Sequence, residues 1–178
     1  MAYRDRPLLG RAAPPHAVRY TFFSSPIGEL LLAGDGETLS GLYFPDGSKA
    51  LAPQPAWTRD DGAFDEVNRQ LTAYFGGELT GFSLPLTPRG TPFQLRVWHA
   101  LQTIPYGQTT SYGKLAAQLG DPKATRAVGM ANGSNPIAVI IPCHRVIGAD
   151  GTLTGYGGGM PRKQWLLALE GRALPLFT

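Results

Sequence analysis

Ser111-Tyr112-Gly113-Lys114-Leu115-Ala116-Ala117-Gln118-Leu119-Gly120, followed at once by Asp121-Pro122-Lys123-Ala124-Thr125-Arg126-Ala127-Val128-Gly129-Met130-Ala131-Asn132, is the stretch that decides the fold. Ser111 suits the cap of a short helix over residues 112–119, and Gly120 suits the left-handed residue just past its end. Asp121 and Pro122 are the types favoured at an N-cap and a first helical position. A second helix is therefore expected from there through Arg126 to about Asn132. Two short helices across so tight a turn are the signature of a helix-turn-helix. An ordinary helical hairpin has the same signature, so DNA binding does not follow from this segment alone.

Working outward, the chain divides in two. Residues 1–16, rich in Arg, Pro and Ala, read as a loose leader. Val18-Arg19-Tyr20-Thr21-Phe22-Phe23 reads as a strand, Pro26-Ile27-Gly28 as a turn, and residues 29–33 and 39–44 as two further strands separated by Gly34-Asp35-Gly36. This is an antiparallel meander. Residues 45–57 contain three prolines and read as a loop. Phe64, Val67, Leu71 and Tyr74 recur at helical spacing, Gly76-Gly77 ends that helix, and residues 82–86 are expected to form another strand. A boundary falls near Pro88-Arg89-Gly90, giving a first domain over 17–88 and a second over 91–178. The second opens on Thr91-Pro92-Phe93-Gln94, with Thr as cap, Pro in first position and Gln three residues after the cap. The fold class is α/β (α+β): a small N-terminal antiparallel-sheet α/β domain, then a mainly helical C-terminal domain carrying the helix-turn-helix.

Composition narrows the function classes. The 178 residues are 43% hydrophobic, as in a globular protein, with no apolar run near the length of a membrane span. Arg4, Arg6 and Arg11 are not followed by the continuous apolar segment of a secretory signal, and a single cysteine fits a reducing compartment; a cytoplasmic location is expected. Net charge is +3, but residues 1–89 carry −2 and residues 90–178 carry +5. A basic C-terminal half suits an anionic partner such as nucleic acid, although an asymmetry this small also arises by chance.

Ala138-Val139-Ile140-Ile141 is an apolar run expected to form a buried strand, and it leads into Pro142-Cys143-His144-Arg145. Cys143 is the only cysteine. It is either an inert core residue or a nucleophile. Pro142 at a first helical position would set the sulfur at a helix N-terminus, which favours thiolate. Arg145 adds positive charge, and His144 is placed to accept the thiol proton, directly or through a water. The polar His-Arg pair is expected where the chain leaves the core. One cysteine with only His16, His99 and His144 does not make a zinc site, so no metal is expected. A protease-type dyad draws its cysteine and histidine from distant positions and finds no support here.

These residues carry a resemblance. Ile141-Pro142-Cys143-His144-Arg145-Val146 is similar to the active-site signature of the O6-alkylguanine-DNA alkyltransferases (methylated-DNA–protein-cysteine methyltransferases). The similarity runs from about Phe93 to Leu174. It includes Tyr106-Gly107, Thr110-Ser111-Tyr112, Leu115-Ala116, Arg126-Ala127-Val128-Gly129, Asn135-Pro136, Gly155-Tyr156-Gly157-Gly158 and the segment from Lys163 through Trp165 to Glu170-Gly171. The N-terminal half matches only in general character.

The resemblance implies a helix-turn-helix of the winged-helix type that enters the minor groove of double-stranded DNA carrying an alkylated guanine. It implies a protein acting as a monomer, with no cofactor and no membrane partner. The DNA-facing residues would be Ser111, Tyr112, Lys123, Arg126, Ala127 and Gly129, with small side chains suiting close approach to the groove. The damaged base is rotated out of the stack. Arg126 would insert in its place, and Tyr112 would turn the target phosphate and hydrogen-bond the base. Glu170 would orient His144, which deprotonates Cys143 through a water. Asn135 would hold the turn before the active site. Val146, Tyr156, Gly157 and Gly158 would form the substrate pocket. Some members have a serine after the active-site-loop tyrosine; this chain has Gly157 after Tyr156, where a backbone N–H serves instead. The run of glycines implies room for alkyl groups larger than methyl.

The implied reaction is irreversible transfer of the alkyl group from O6-alkylguanine, and from O4-alkylthymine, to Cys143. The alternative is an alkyltransferase-like protein that binds lesions without chemistry. In those the nucleophile is replaced, commonly by tryptophan, and Cys143 argues against it. A cysteine hydrolase unrelated to DNA would leave the helix-turn-helix and Arg126 unexplained.

Overall fold

The computed structural model describes residues 18–48 and 50–171; the leader expected over residues 1–16 and the last seven residues of the second domain lie outside these. The sheet is built around Leu30-Leu31-Leu32-Ala33. This apolar run makes β2 (Gly28–Gly34) a strand buried on both faces, between β1 (Arg19–Ser25) and β3 (Leu39–Tyr43). Both pairings are antiparallel, with Phe22 opposite Leu31 and Leu31 opposite Tyr43.

Two expectations for this half are corrected. The segment read as a loop is followed by a fourth strand, β4 (Thr58–Arg59), parallel to β1, so the sheet is mixed and runs β3-β2-β1-β4. Two exposed residues leave no alternation to read; the Arg19–Asp60 ion pair at 2.9 Å helps hold them. Residues 82–86 are not a strand. Pro85 has no N–H to donate, and the segment pairs with the sheet at an isolated bridge from Leu86 to Leu39. Helix α1 (Asp65–Phe75) follows a 3₁₀ turn, Asp61–Phe64, capped by the Asp60 side chain. It buries Val67, Leu71, Tyr74 and Phe75.

The second half begins at α2 (Pro92–Leu101) with the full capping box: Thr91 accepts from the Gln94 backbone, and Gln94 reaches back to the Thr91 N–H. A short strand, β5 (Thr110–Ser111), runs into α3 (Tyr112–Gln118), whose cap is the Ser111 hydroxyl, 3.2 Å from the Lys114 nitrogen. Gly120 turns the chain at φ +86°, a conformation that side chains resist. Helix α4 (Thr125–Gly133) starts later than the Asp121-Pro122 pair suggests. Asp121 accepts from the Lys123 nitrogen, and its carbonyl accepts from Ala124, so these residues close a turn instead of opening the helix.

The run 138–141 is buried as expected but is not a strand. It coils tightly, with Ile141 N–H bonded to Ile137 O at 3.0 Å and Val139 at φ +70°, a strained setting for a β-branched residue. Apolar content fixes burial, not conformation. The Leu42 N–H donates to Pro136 O and the Ala138 N–H to Leu42 O, which docks this coil on β3. After it come β6 (Val146–Ile147), parallel to β5, and α5 (Met160–Leu169). Among the described residues no helix is long and apolar enough to cross a membrane.

Helix α4 rests on α2 and also packs against α3. Trp98 is buried and its indole N–H donates to Ala131 O at 2.8 Å, so α4 is held in both position and rotation. Trp98→Phe removes that bond and leaves a void. We expect a loss of about 1–3 kcal/mol in unfolding free energy, read by urea denaturation.

Candidate active site

Cys143 begins a single 3₁₀ turn, Cys143–Arg145, with Pro142 as its cap residue and not its first helical position. One turn carries too few aligned peptides to act as a macrodipole, so the expected helix N-terminus at the sulfur is corrected. What fixes Cys143 is the coil before it. Asn135 clamps that coil from both sides: its Nδ2 donates to Ile141 O at 2.7 Å and its Oδ1 accepts from the Ile137 N–H at 3.0 Å. Cys143 is 6% exposed and lies in the wall of a cavity of about 950 Å³.

His144 and Arg145 do not leave the core. Both are buried around the equally buried Glu170, immediately after α5. Glu170 Oε1 lies 2.9 Å from His144 Nε2 and accepts from Tyr74 Oη at 2.6 Å and Arg145 Nη2 at 2.8 Å, while Oε2 accepts from Arg145 Nε at 2.9 Å. Arg145 Nη1 donates to Ile104 O at 2.7 Å. The arginine charge is thus neutralised by Glu170, which corrects the expectation that it serves the thiol. Burial alone would raise the Glu170 pKa, but the donated bonds from His144 and Arg145 outweigh it and hold the carboxyl down at about 2. Burial pushes the His144 pKa below its usual value, with help from Arg145 and Lys163, against the bond to Glu170. The imidazole is therefore neutral at physiological pH. With Nε2–H facing a carboxylate, Nδ1 carries the lone pair, and it has no hydrogen-bond partner among the described residues. That is the tautomer a proton acceptor needs.

Helix α4 and its neighbours bring most of the expected residues to the cavity. Tyr112, Lys123, Arg126, Gly129, Asn135, Cys143, Tyr156, Gly157 and Gly158 line it. Five expected residues do not line it, two of them His144 and Glu170 of the buried cluster above. Val146 is fully buried in β6, Ser111 is the buried cap of α3, and Ala127 is exposed on α4 beside the opening. The Tyr112 hydroxyl lies 2.8 Å from the Thr154 hydroxyl on the opposite wall.

The sequence reading missed several contributors. Leu42, Tyr43, Phe44 and Ser48 bring the end of β3 and its following turn to the cavity wall. A side chain at Gly158 would collide with the Phe44 ring, at 2.6 Å, which explains a glycine there. Arg162 fastens that corner, donating to Ile27 O, Gly158 O and Asp46 and lying over the Phe44 ring at 4.7 Å. Lys163 is fully buried and donates to Val146 O at 2.6 Å and Thr154 O at 2.9 Å; burial lowers its pKa to about 8 against the pull of Cys143. Tyr74 showed only as one apolar position of α1; no local signal marks its hydroxyl as a ligand of a carboxylate in the other half.

Comparison with known proteins adds to this geometry. Residues 92–172 match the family model for the 6-O-methylguanine DNA methyltransferase DNA-binding domain, and residues 18–88 match the ribonuclease-like domain of the same methyltransferases. A methylated-DNA–protein-cysteine methyltransferase of Methanosarcina acetivorans is 54% identical over 152 residues, covering 85% of this chain and 97% of the relative. The corresponding Mycobacterium tuberculosis protein is 56% identical, covering 89% and 95%. The crystal structure of the Mycobacterium tuberculosis O6-methylguanine methyltransferase superposes with a TM-score of 0.81 at 56% identity, covering 90% of this chain and 96% of that one. A structure of the same protein in complex with DNA gives 0.80 at 57% identity, covering 85% and 92%.

The buried carboxylate makes a prediction in pH. Glu170 has a folded pKa of about 2 against an ordinary 4.5, so its stabilisation is full above 4.5 and lost as pH falls toward 2. His144 titrates below its ordinary 6.5 in the folded protein, so acidification through 6.5 also favours the unfolded chain. Unfolding free energy should therefore fall steadily from neutral pH downward. Glu170→Gln leaves Arg145 buried without its counter-ion. We expect it to lose about 3–5 kcal/mol at neutral pH and to show a shallower decline below 4.5, both read by denaturant titration across pH.

Proposed function

We propose, from the premise that this chain belongs to the 6-O-methylguanine DNA methyltransferase family, that Cys143 is the residue on which its chemistry ends. The chain is a DNA-repair methyltransferase that binds DNA and moves the methyl group of O6-methylguanine to a protein cysteine. One observation carries the assignment of Cys143. It is the only cysteine, it lines the large cavity beside α4, and the next residue is a neutral histidine held by a buried carboxylate.

The proposed sequence starts with α4 in the minor groove. Ala127 and Gly129 keep its outer face thin, and Arg126 and Lys123 stand at the cavity rim for phosphates and for the space the base vacates. The alkylated guanine swings out past Tyr112 into the cavity, whose volume lies within the range of small-molecule sites. His144 Nδ1 takes the thiol proton through a water, and Glu170 stabilises the imidazolium that results. The thiolate attacks the alkyl carbon in line with the departing oxygen. The S–C bond forms as the C–O bond breaks, and Tyr112 donates a proton to the leaving guanine. A thioether has no ready leaving route, so each molecule acts once. No cofactor is required, because the lesion is itself the electrophile. O4-alkylthymine presents the same electrophilic alkoxy carbon and is proposed as a second substrate. All these residues come from one chain, which supports action as a monomer, and a chain with a single cysteine suits the reducing cytoplasm.

Duplex DNA carrying a labelled methyl on guanine O6 should label Cys143 one-to-one and no further. Cys143→Ala should lose transfer entirely while binding the same duplex with unchanged affinity; retained transfer would overturn the assignment. Gly155, Gly157 and Gly158 leave the cavity wall without side chains, so methyl, ethyl and benzyl lesions should react at rates within about tenfold. A steep fall beyond methyl in single-turnover assays would refute that roominess.

A further inference from the structure

Helix α4 presents a thin outer face with one exception. Val128, Ala131 and Asn132 are buried, and the Trp98 bond to Ala131 O fixes the helix's rotation. The opposite side carries Arg126, Ala127, Met130 and Gly133, all exposed. Met130 lies two residues from Val128, roughly 200° around the helix, so it stands on the centre line of that face. It is 70% exposed, and its neighbours three residues to either side are Ala127 and Gly133. Ser134 Oγ donates to the Met130 carbonyl at 2.9 Å, which fastens the last turn of the helix. Met130 does not line the cavity, although Arg126, Gly129, Asn132 and Gly133 do. Single exposed apolar residues are ordinary on a protein surface. This one is set apart by its place: it projects as a knob one turn beyond Arg126, from a strip whose other members are small.

The width of a minor groove makes that knob consequential. A B-form minor groove is about 6 Å wide, whereas a helix with its side chains is about 10 Å across. Helix α4 therefore enters only a groove that has been opened. Minor-groove proteins frequently open it with an apolar wedge, Met among them, which slips between base steps and partly unstacks them. Methionine suits the task because its unbranched thioether adapts to an irregular surface. We infer that Met130 is such a wedge: it packs into the minor-groove floor near the lesion, loosens the stack there and so eases extrusion of the damaged base. Four helical residues rise about 6 Å, less than two base-pair steps, so the wedge acts within about two pairs of Arg126. Arg126 and Met130 then divide the work, one carrying charge and the other apolar surface. The inference rests on the proposed reading of α4 as the minor-groove element. It goes beyond that reading in assigning the side chain that holds the groove open. Met130 is a positioning residue and touches neither Cys143 nor the extruded base.

The test compares a reaction that needs the duplex with one that does not. Wild type, Met130→Ala and Met130→Leu each react, under single-turnover conditions, with a duplex carrying O6-methylguanine and with free O6-benzylguanine, which reaches the cavity without DNA. The position is exposed and alanine favours a helix, so the alanine variant folds. Met130→Ala should lower the ratio of duplex rate to free-base rate about tenfold, and Met130→Leu, which keeps the apolar bulk, should restore most of it. A third substrate supplies the unstacking from the DNA side: the same duplex with a mismatch two pairs from the lesion. It should recover most of the Met130→Ala deficit and change the wild-type rate far less. An unchanged ratio in Met130→Ala, or a deficit that the mismatch does not relieve, overturns the inference. An equal fall in both rates also overturns it, because that marks damage to the cavity and not a lost wedge. Wild type that reacts with the free base but never with a duplex lesion would overturn the minor-groove reading instead, so the two failures are distinct.

Discussion

Glu170 is the point on which this structure turns. A carboxylate this deeply buried is tolerable only if its charge is met in full, and here both oxygens are met: Arg145 through two nitrogens, Tyr74 through its hydroxyl, and His144 through its ring. The partners come from distant parts of the chain. Tyr74 belongs to α1 of the N-terminal half, His144 and Arg145 to the turn that carries Cys143, and Glu170 to the end of α5. Satisfying one charge therefore assembles three elements, and the histidine is oriented as a by-product of that assembly.

The cavity has the same composite character. Its floor and one wall come from α4 and the Cys143 turn, its rim from Arg126 and Lys123, and its far wall from the end of β3. The Arg162 side chain binds the Phe44 corner to the glycine loop by hydrogen bonds on both sides. The N-terminal sheet is thus part of the site and not merely an attached neighbour. The sheet meets the coil at 136–138 through the β3 end, where Leu42 bonds Pro136 and Ala138.

Local chemistry made the caps and turns legible in the sequence. Thr91-Pro92-Phe93-Gln94, Ser111 and Gly120 all behave as their residue types dictate, because caps involve neighbours only a few residues apart. Readings that needed long-range information were less secure. Residues 138–141 are apolar and buried, but whether an apolar run extends or coils depends on what lies beside it, and here the edge of β3 decides. Pro142 has the residue type of a helix start but becomes the cap of a single turn. The His-Arg pair looked like an exit from the core because charge normally seeks water. It stays inside because Glu170, 25 residues on, is there to receive it. The candidate residues Cys143, His144, Glu170, Asn135, Tyr112 and Arg126 were all named from the sequence. Tyr74, Arg162 and Phe44 were not, since nothing adjacent to them announces a partner in the other half.

The Tyr74 hydroxyl has a further thermodynamic consequence. By crossing from α1 to Glu170, with the Phe75 and Trp165 rings in contact beside it at 5.8 Å, it ties the folding of the sheet to the integrity of the buried charge cluster. Melting the N-terminal half would strip a donor from the carboxylate and open the cluster to water, so the halves are bound into one cooperative transition. A partly denatured chain then has no properly held histidine beside its sulfur. For a protein that acts once per molecule, the number of doses available to the cell equals the number of wholly native chains.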